Sequence, residues 1–230
     1  NNYRYSVDLA AYCASGDVRF IYASSAATYG IGEQGYSDSL SRTLRPLNMY
    51  GYSKLLFDNW IHDNGLLESC VGIRYFNVFG PNEYHKDDMA SMVYKAFCQI
   101  EQTGKIRLFK SNAPQYAHGG QMRDFVYVKD VCDVMWKILK DDTIAGIYNL
   151  GTGRARSWNE LAHAVFHAIG IESRIEYIEM PESLRQQYQN FTQADMAKLS
   201  STSAAHEFQS LESSVNDYVG EYLLTKKMYW

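Results

Sequence analysis

Short apolar runs alternate with longer amphipathic stripes along the whole chain, and the alternation predicts strands and helices in turn. Residues 1–14 carry Val7, Leu9, Ala10, Ala11 and Tyr12 at roughly helical spacing, and Gly16 closes that helix. Val18-Arg19-Phe20-Ile21-Tyr22-Ala23 predicts a strand, with Ser24-Ser25 at its C-terminal end. A polar loop over 30–46 leads into a helix expected over 48–64 and closed near Gly65. Residues 69–76 read as a second buried strand, running into the breaker Asn77-Val78-Phe79-Gly80-Pro81. Strand, helix and strand at this spacing form βαβ units, which require a parallel sheet.

The later pieces are shorter. A helix is expected over 89–101, with Met92, Val93, Ala96, Phe97 and Ile100 on its apolar side. Strands are expected over 106–109, 123–128, 146–150 and 174–178, with a loop over 110–121. Asp130 suits the N-cap of a helix over 131–139. Ser157-Trp158-Asn159-Glu160 has the capping-box pattern, and Leu161, Ala162, Val165, Phe166 and Ile169 continue one stripe. Helices over 192–199 and 211–223 complete the expectation.

Composition narrows the class. A chain of 230 residues, 46% hydrophobic and 21% charged, is an ordinary globular one, able to bury a sizeable core or a domain with a smaller lobe. The formal net charge of −4 argues against a broad nucleic-acid surface, though not against a local basic pocket for phosphates. Nineteen tyrosines suit polar-edged aromatic pockets. Cys13, Cys70, Cys98 and Cys132 form no Cys-x-x-Cys pair and read as buried free thiols of a reducing compartment. No apolar run reaches the length of a membrane span and no secretory signal opens the chain, and no membrane partner is expected.

Candidate chemistry gathers at Tyr50-Gly51-Tyr52-Ser53-Lys54, read together with Ser25. Four residues on a helix put Tyr50 and Lys54 on one face, one turn apart. An ammonium beside a phenol favours the phenolate, and a nearby hydroxyl can share the substrate's hydrogen bond. These parts suit proton removal from an alcohol during hydride transfer. The spacing alone is common on surface helices. Glu160, His163 and His167 lie one turn apart along a helix but opposite its apolar stripe, which reads as a solvated face, and no metal site is expected. A Gly-x-Gly-x-x-Gly turn, usual in the first βα unit of a dinucleotide-binding sheet, does not occur; Gly151-Thr152-Gly153 lacks the third glycine and reads as a strand-to-loop turn.

Several segments together resemble the extended short-chain dehydrogenase/reductase family of nucleotide-sugar enzymes. They are Tyr22-Ala23-Ser24-Ser25-Ala26-Ala27-Thr28-Tyr29-Gly30, Pro46-Leu47-Asn48-Met49-Tyr50-Gly51-Tyr52-Ser53-Lys54 and Arg74-Tyr75-Phe76-Asn77-Val78-Phe79-Gly80-Pro81. His85-Lys86, Met89-Ala90-Ser91, Arg123-Asp124-Phe125-Val126-Tyr127-Val128, Asn149 to Ala155 and Tyr188 to Asp195 continue it over essentially the whole chain.

The resemblance implies an α/β fold: a Rossmann-like doubly wound parallel sheet with a smaller C-terminal substrate lobe, the first βαβ units absent from this chain. The nucleotide-binding part is expected over 1–81 and 124–153, the lobe over 82–123 and 154–230. It implies inversion of C6 in an ADP-heptose through transient oxidation by bound NADP, NAD remaining open, in the making of lipopolysaccharide inner-core precursors. It also implies a closed homo-oligomer, a pentamer among the candidates. Tyr50 and Ser25 are implied at the reacting carbon, and Lys86 as a second acid/base. Asn1, Lys54, Val78 and Lys86 are implied as cofactor contacts. Asn77, Asp88, Lys95, Phe109, Lys110, Ser111, Arg123 and Tyr188, with Ser25, are implied on the substrate. Asp88 stands where members often carry a small hydroxyl residue, and Lys95 where some carry histidine. The missing glycine-rich part leads us to expect roughly 80–100 residues upstream. Two alternatives stay open: a nucleotide-sugar 4-epimerase or 4,6-dehydratase, and a non-catalytic sugar-nucleotide-binding fragment.

Overall fold

The computed structural model describes residues 2–39, 42–185 and 188–227. In chain order they form α1 (Asn2–Ser15), β1 (Phe20–Ser25), a 3-10 turn (Ala26–Tyr29), α2 (Met49–Asp63), β2 (Cys70–Tyr75) and β3 (Asn77–Phe79). A 3-10 segment (Tyr84–Met89), α3 (Met92–Thr103), β4 (Ile106–Phe109), β5 (Met122–Tyr127), α4 (Val128–Lys140), β6 (Gly146–Leu150) and β7 (Ala155–Ser157) follow. The last elements are α5 (Trp158–Ile169), β8 (Ile175–Ile178), α6 (Glu182–Arg185), α7 (Ala197–Ser200) and α8 (Leu211–Asp217), which continues as a π-helical segment over Tyr218–Leu223. Among the described residues no helix is long and apolar enough to cross a membrane.

The chain divides into two compact units. The first comprises Asn1–Phe76, Val134–Gly153 and Thr192–His206; the second comprises Asn77–Asp133, Arg154–Phe191 and Glu207–Trp230. In the first, β1, β2 and β6 form a parallel sheet with β2 in the middle. Every residue of β2 but the last is buried, as a central parallel strand requires. Ala10, Tyr22, Phe57, Ile61 and Cys70 make one apolar cluster between the helices and the sheet.

That core holds an ion pair. Arg74 of β2 and Asp58 of α2 lie 2.9 Å apart with both side chains wholly buried. Asp58 also accepts hydrogen bonds from Tyr22 at 3.1 Å and Ser24 at 2.9 Å, both on β1. Arg74 donates to the Tyr29 hydroxyl at 3.1 Å, and Tyr29 donates to Asn149 of β6 at 2.6 Å. Burial pushes the Asp58 carboxyl up, against the pull of Arg74 and the two hydroxyls. Burial also works against the Arg74 charge, but Asp58 and Tyr29 more than restore it.

The second unit is built on a larger core in which Val93, Phe97 and Ile100 of α3 meet Leu161, Val165 and Phe166 of α5 and Val215, Tyr218 and Val219 at the C-terminal end. β3 pairs parallel with β5, β5 pairs antiparallel with β7, and β4 pairs parallel with β8. α5 begins with the expected capping box: the Ser157 hydroxyl accepts from the Glu160 amide while the Glu160 carboxylate accepts from the Ser157 amide. Burial pushes the Glu160 carboxyl up, but the Ser157 bonds and Arg156, 2.8 Å away, hold it below the ordinary glutamate value.

Several expectations are corrected. The segment 192–206 belongs with the first unit, because Lys198 donates to the Ile147 carbonyl at 2.6 Å and Asn149 to the Asp195 carbonyl at 3.0 Å. The segment 124–133 belongs with the second unit, where β5 lies between β3 and β7. α3 starts at Met92 rather than 89, since Ser91 supplies the cap. α4 starts at Val128; Asp130 lies in its first turn and accepts from the Gln209 amide at 3.0 Å instead of capping. The helix expected over 192–199 shrinks to α7, and β3 and β7, three residues each, were not foreseen. Of the four free thiols only Cys70 is buried, and Cys132 is exposed.

Breaking the ion pair from one side leaves a buried charge. Arg74→Met should cost about 3–5 kcal/mol in urea unfolding, and the double change Arg74→Met/Asp58→Leu should recover most of that loss. Glu160 has a folded pKa below its unfolded one, so its stabilisation is complete above about pH 4.5 and is lost as the pH falls through the folded value. Glu160→Gln should therefore cost about 0.5–1 kcal/mol at pH 7, and the gap to the parent should close as the pH falls through the folded value.

Candidate active site

In the first unit the candidate groups gather at the C-terminal end of β1. Ser25 ends the strand in extended geometry, φ −157° and ψ 146°, and caps the following 3-10 turn by accepting from the Ala27 amide at 3.1 Å. The Asn48 side chain caps α2 by accepting from the Gly51 amide at 2.9 Å, which puts Tyr50 in the first helical turn. Gly51 permits the approach of helix and turn: a Cβ there would stand 2.7 Å from the Ala27 carbonyl oxygen and 2.9 Å from Pro46 Cβ. The start of α2 is thus pressed against the turn that Ser25 opens. Tyr50 is 51% exposed.

Lys54 lies one turn along. Its Nζ donates to the Ala23 carbonyl at 2.8 Å and stands 5.8 Å from the centre of the Tyr50 ring. Burial pulls the Lys54 pKa down, partly offset by the Asp58 carboxylate one turn further on. An ammonium has three donors, and the Ala23 carbonyl takes one. The remaining two suit a diol such as the ribose of a nicotinamide nucleotide, so the residues present fit that group. Asn1, the other expected cofactor contact on this unit, lies outside the described residues.

In the second unit a cavity of about 560 Å³ opens between α3, the end of β4 and the start of α5, lined by Lys95, Gln99, Leu108, Phe109, Trp158 and Tyr188 among others. Arg123 is buried, its guanidinium carbon 5.6 Å from the Trp158 ring centre and 5.2 Å from that of Tyr188. Trp158 Nε1 donates to the Tyr188 hydroxyl at 2.9 Å, and Phe109 meets the Tyr188 ring edge-on at 6.3 Å. Burial raises the Tyr188 pKa against the pull of the Arg123 charge, so the phenol stays neutral. Flat faces with a cation behind them suit a nucleotide, whose base stacks and whose phosphates seek positive charge.

The remaining candidates sit on turns and edges. Lys110 pairs with Glu179 at 2.6 Å, and the Ser111 hydroxyl donates to the Ala113 carbonyl at 2.8 Å. Asn77 and Val78 lie on β3 beside Phe125 and Val126 of β5. Lys86 and Asp88 are exposed on the 3-10 segment before α3, and Lys95 donates to the Asp88 carbonyl. Lys95, Phe109 and Tyr188 thus line one cavity, with Arg123 packed against its Trp158 and Tyr188 rings, while Lys110 and Ser111 engage neighbours elsewhere. Trp158 and Gln99 were missed by sequence reasoning. Trp158 gave a signal, since the first residue of a capped helix is seldom a large aromatic without a partner; Gln99 gave none. Glu160, weighed with His163 and His167 as a metal ligand, is consumed by its cap and by Arg156, while His163 meets Ser173 at 2.9 Å.

Residues 1–151 match the NAD dependent epimerase/dehydratase family. The chain is 53% identical over 225 residues to the ADP-L-glycero-D-manno-heptose-6-epimerase of Nitratidesulfovibrio vulgaris, covering 97% of this chain and 70% of that protein. It is 45% identical over 240 residues to the protein of the same name from Fusobacterium nucleatum, covering 100% and 72%. Among solved structures, the ADP-L-glycero-D-manno-heptose-6-epimerase of Helicobacter pylori matches with a TM-score of 0.80 at 31% identity, covering 96% of this chain and 65% of that one. A UDP-N-acetylglucosamine 4-epimerase from Methanobrevibacter ruminantium shares the fold, with a TM-score of 0.79 at 22% identity, over 98% and 69%. The present chain therefore spans 65–72% of the length of these heptose epimerases, and its fold is the Rossmann-type α/β fold of such enzymes.

Helix propensity favours alanine over glycine by ~1 kcal/mol in a helix interior. At position 51 the clash with Ala27 and Pro46 reverses the sign. Gly51→Ala should lower stability by about 1–3 kcal/mol in thermal melts.

Proposed function

The chain belongs to the NAD dependent epimerase/dehydratase family, and from that membership we propose that it serves an epimerase inverting C6 of the heptose in an ADP-glycero-manno-heptose. The identity to heptose epimerases from several bacteria supports this substrate over other nucleotide sugars. The observation that carries the chemistry is the Lys54 ammonium held 2.8 Å from the Ala23 carbonyl, two residues before Ser25 on β1, and 5.8 Å from the Tyr50 ring centre.

Inversion at C6 needs a proton removed from the C6 hydroxyl as the carbon is oxidised, and a proton returned after the ketone presents its other face. Redox change over the cycle is nil. Proton handling on two sides is a physical reason to want two groups. In this reading Tyr50 holds or takes the proton at one side, with Ser25 sharing the hydrogen bond to the same oxygen, and Lys86 does so at the other. Lys54, Val78, Lys86 and Asn1 hold the nicotinamide nucleotide, which when bound supplies hydride acceptance and return. NADP is the proposed form. Phe109, Lys110, Ser111, Lys95 and Tyr188 line or rim the nucleotide end of the substrate, Asn77 and Asp88 its sugar, and Arg123 places positive charge at the diphosphate. The protein is proposed to act in the cytoplasm as a homo-oligomer, feeding lipopolysaccharide inner-core synthesis.

The test uses the enzyme made from its native reading frame. Tyr50→Phe keeps the ring and removes the hydroxyl, while Lys86→Met keeps most of the stem and removes the amine. Each should lower kcat for ADP-heptose epimerisation by roughly 10²–10⁴-fold with the protein still folded. If Lys86→Met raises KM and leaves kcat unchanged, the lysine only binds. Tyr50 would then stand as sole base, and the reading would move to a 4-epimerase.

A further inference from the structure

The loop that carries Lys86 is closed by one buried carboxylate. Glu83, three residues before Lys86, is 4% exposed. Its Oε2 accepts from the Ser91 amide at 2.6 Å, and its Oε1 accepts from the Ser91 hydroxyl at 2.6 Å and from the Tyr218 hydroxyl at 3.1 Å. One side chain therefore joins the start of the loop to its end and both to the C-terminal helical segment. The Ser91 hydroxyl in turn accepts from the Tyr94 amide at 3.3 Å and caps α3.

Between these two points Tyr84 packs against the Tyr94 and Tyr218 rings, and Lys95 donates to the Asp88 carbonyl. His85 to Met89 are all exposed. The backbone is nevertheless tightly wound: the Lys86 amide donates to the Glu83 carbonyl at 3.0 Å, and the Ala90 amide to the Asp87 carbonyl at 3.0 Å. Asp87, next to Lys86, has φ 46° and ψ −120°, a conformation that favours glycine. Such strain persists only where the surroundings over-determine it. Lys95 holds the Asp88 carbonyl beside it, and the three bonds to the Glu83 carboxylate fix both ends of the loop.

We propose that Glu83 is the positioning residue for Lys86, fixing the loop ends so that the lysine is presented in one place. The inference rests on the reading of Lys86 as a proton-handling group. Misplacing such a group by about 1 Å can cost ~10²-fold in rate without weakening binding.

The experiment compares the parent enzyme, Glu83→Gln, Lys86→Met and the double variant in ADP-heptose epimerisation, below the melting temperature of each. Glu83→Gln should lower kcat by about 10–100-fold and change KM by less than about threefold, and should add no further loss in the Lys86→Met background. Should Glu83→Gln not fold, Tyr218→Phe removes a single bond to the carboxylate, and Ser91→Ala removes one together with the α3 cap; both carry the same comparison, with smaller losses in the same direction. If the loss is equally large in the Lys86→Met background, the carboxylate supports the fold at large and the proposal is overturned. If Lys86→Met slows turnover while Glu83→Gln and Ser91→Ala do not, Glu83 alone loses its role. If Lys86→Met leaves kcat intact, the reading of Lys86 falls first and the proposal with it.

Discussion

A charge removed from water must be met by another charge or by several hydrogen bonds, and at the centre of the first unit's sheet that demand is answered by Asp58 and Arg74. The pair costs more to break than it contributes as a whole, so its geometry is tightly set. Tyr22 and Ser24 bring β1 to it, Arg74 brings β2, Asp58 brings α2, and Tyr29 extends it to Asn149 of β6. Three strands and a helix are thereby fixed in mutual register by side chains, on top of the backbone ladder. Ser25 follows Ser24 directly, and Lys54 precedes Asp58 by one turn. The candidate groups are thus the exposed ends of a buried network, which explains how an exposed tyrosine and a lysine on a long stem can have defined places.

The same economy appears in the second unit with different groups. Arg123 is held against two aromatic rings, and the hydroxyl of one ring accepts from the nitrogen of the other. The cation is kept from water by flat apolar faces, which interact with it favourably, and those same Trp158 and Tyr188 rings line the cavity. Glu83 ties the two ends of the loop before α3 together, beside the packing of Tyr84 on Tyr94 and Tyr218. In each unit a few buried polar groups fix what the larger apolar core leaves free.

Periodicity alone located most elements of the chain. The βαβ alternation of 18–76 was legible because β2 is buried on both faces and so reads as a continuous apolar run, and α5 was legible because its cap and stripe are local. The pairing of Tyr50 with Lys54 followed from helical spacing, and the wider set of candidate residues from the likeness of whole segments to nucleotide-sugar enzymes. All of these are properties of neighbours in sequence. β3 and β7, three residues each, were not legible, because strands so short exist only through their partner β5. Nor was the role of Asp130, which turned from a local cap to a bond with the Gln209 amide.

What the sequence determined by itself was therefore the α/β class, the order of the elements and the chemical types at the site, since each depends on residues within a turn or a strand of one another. Only the tertiary structure decided that Asp58 answers Arg74, that Trp158 and Gln99 line the cavity with Tyr188, that 192–206 returns to β6, and that Glu83 reaches Ser91 and Tyr218. Those partners are separated by between eight and 135 residues, or by a fold of the chain that no spacing encodes. A buried charge selects its partner by proximity in space, and proximity in space is fixed only once the apolar faces have found one another.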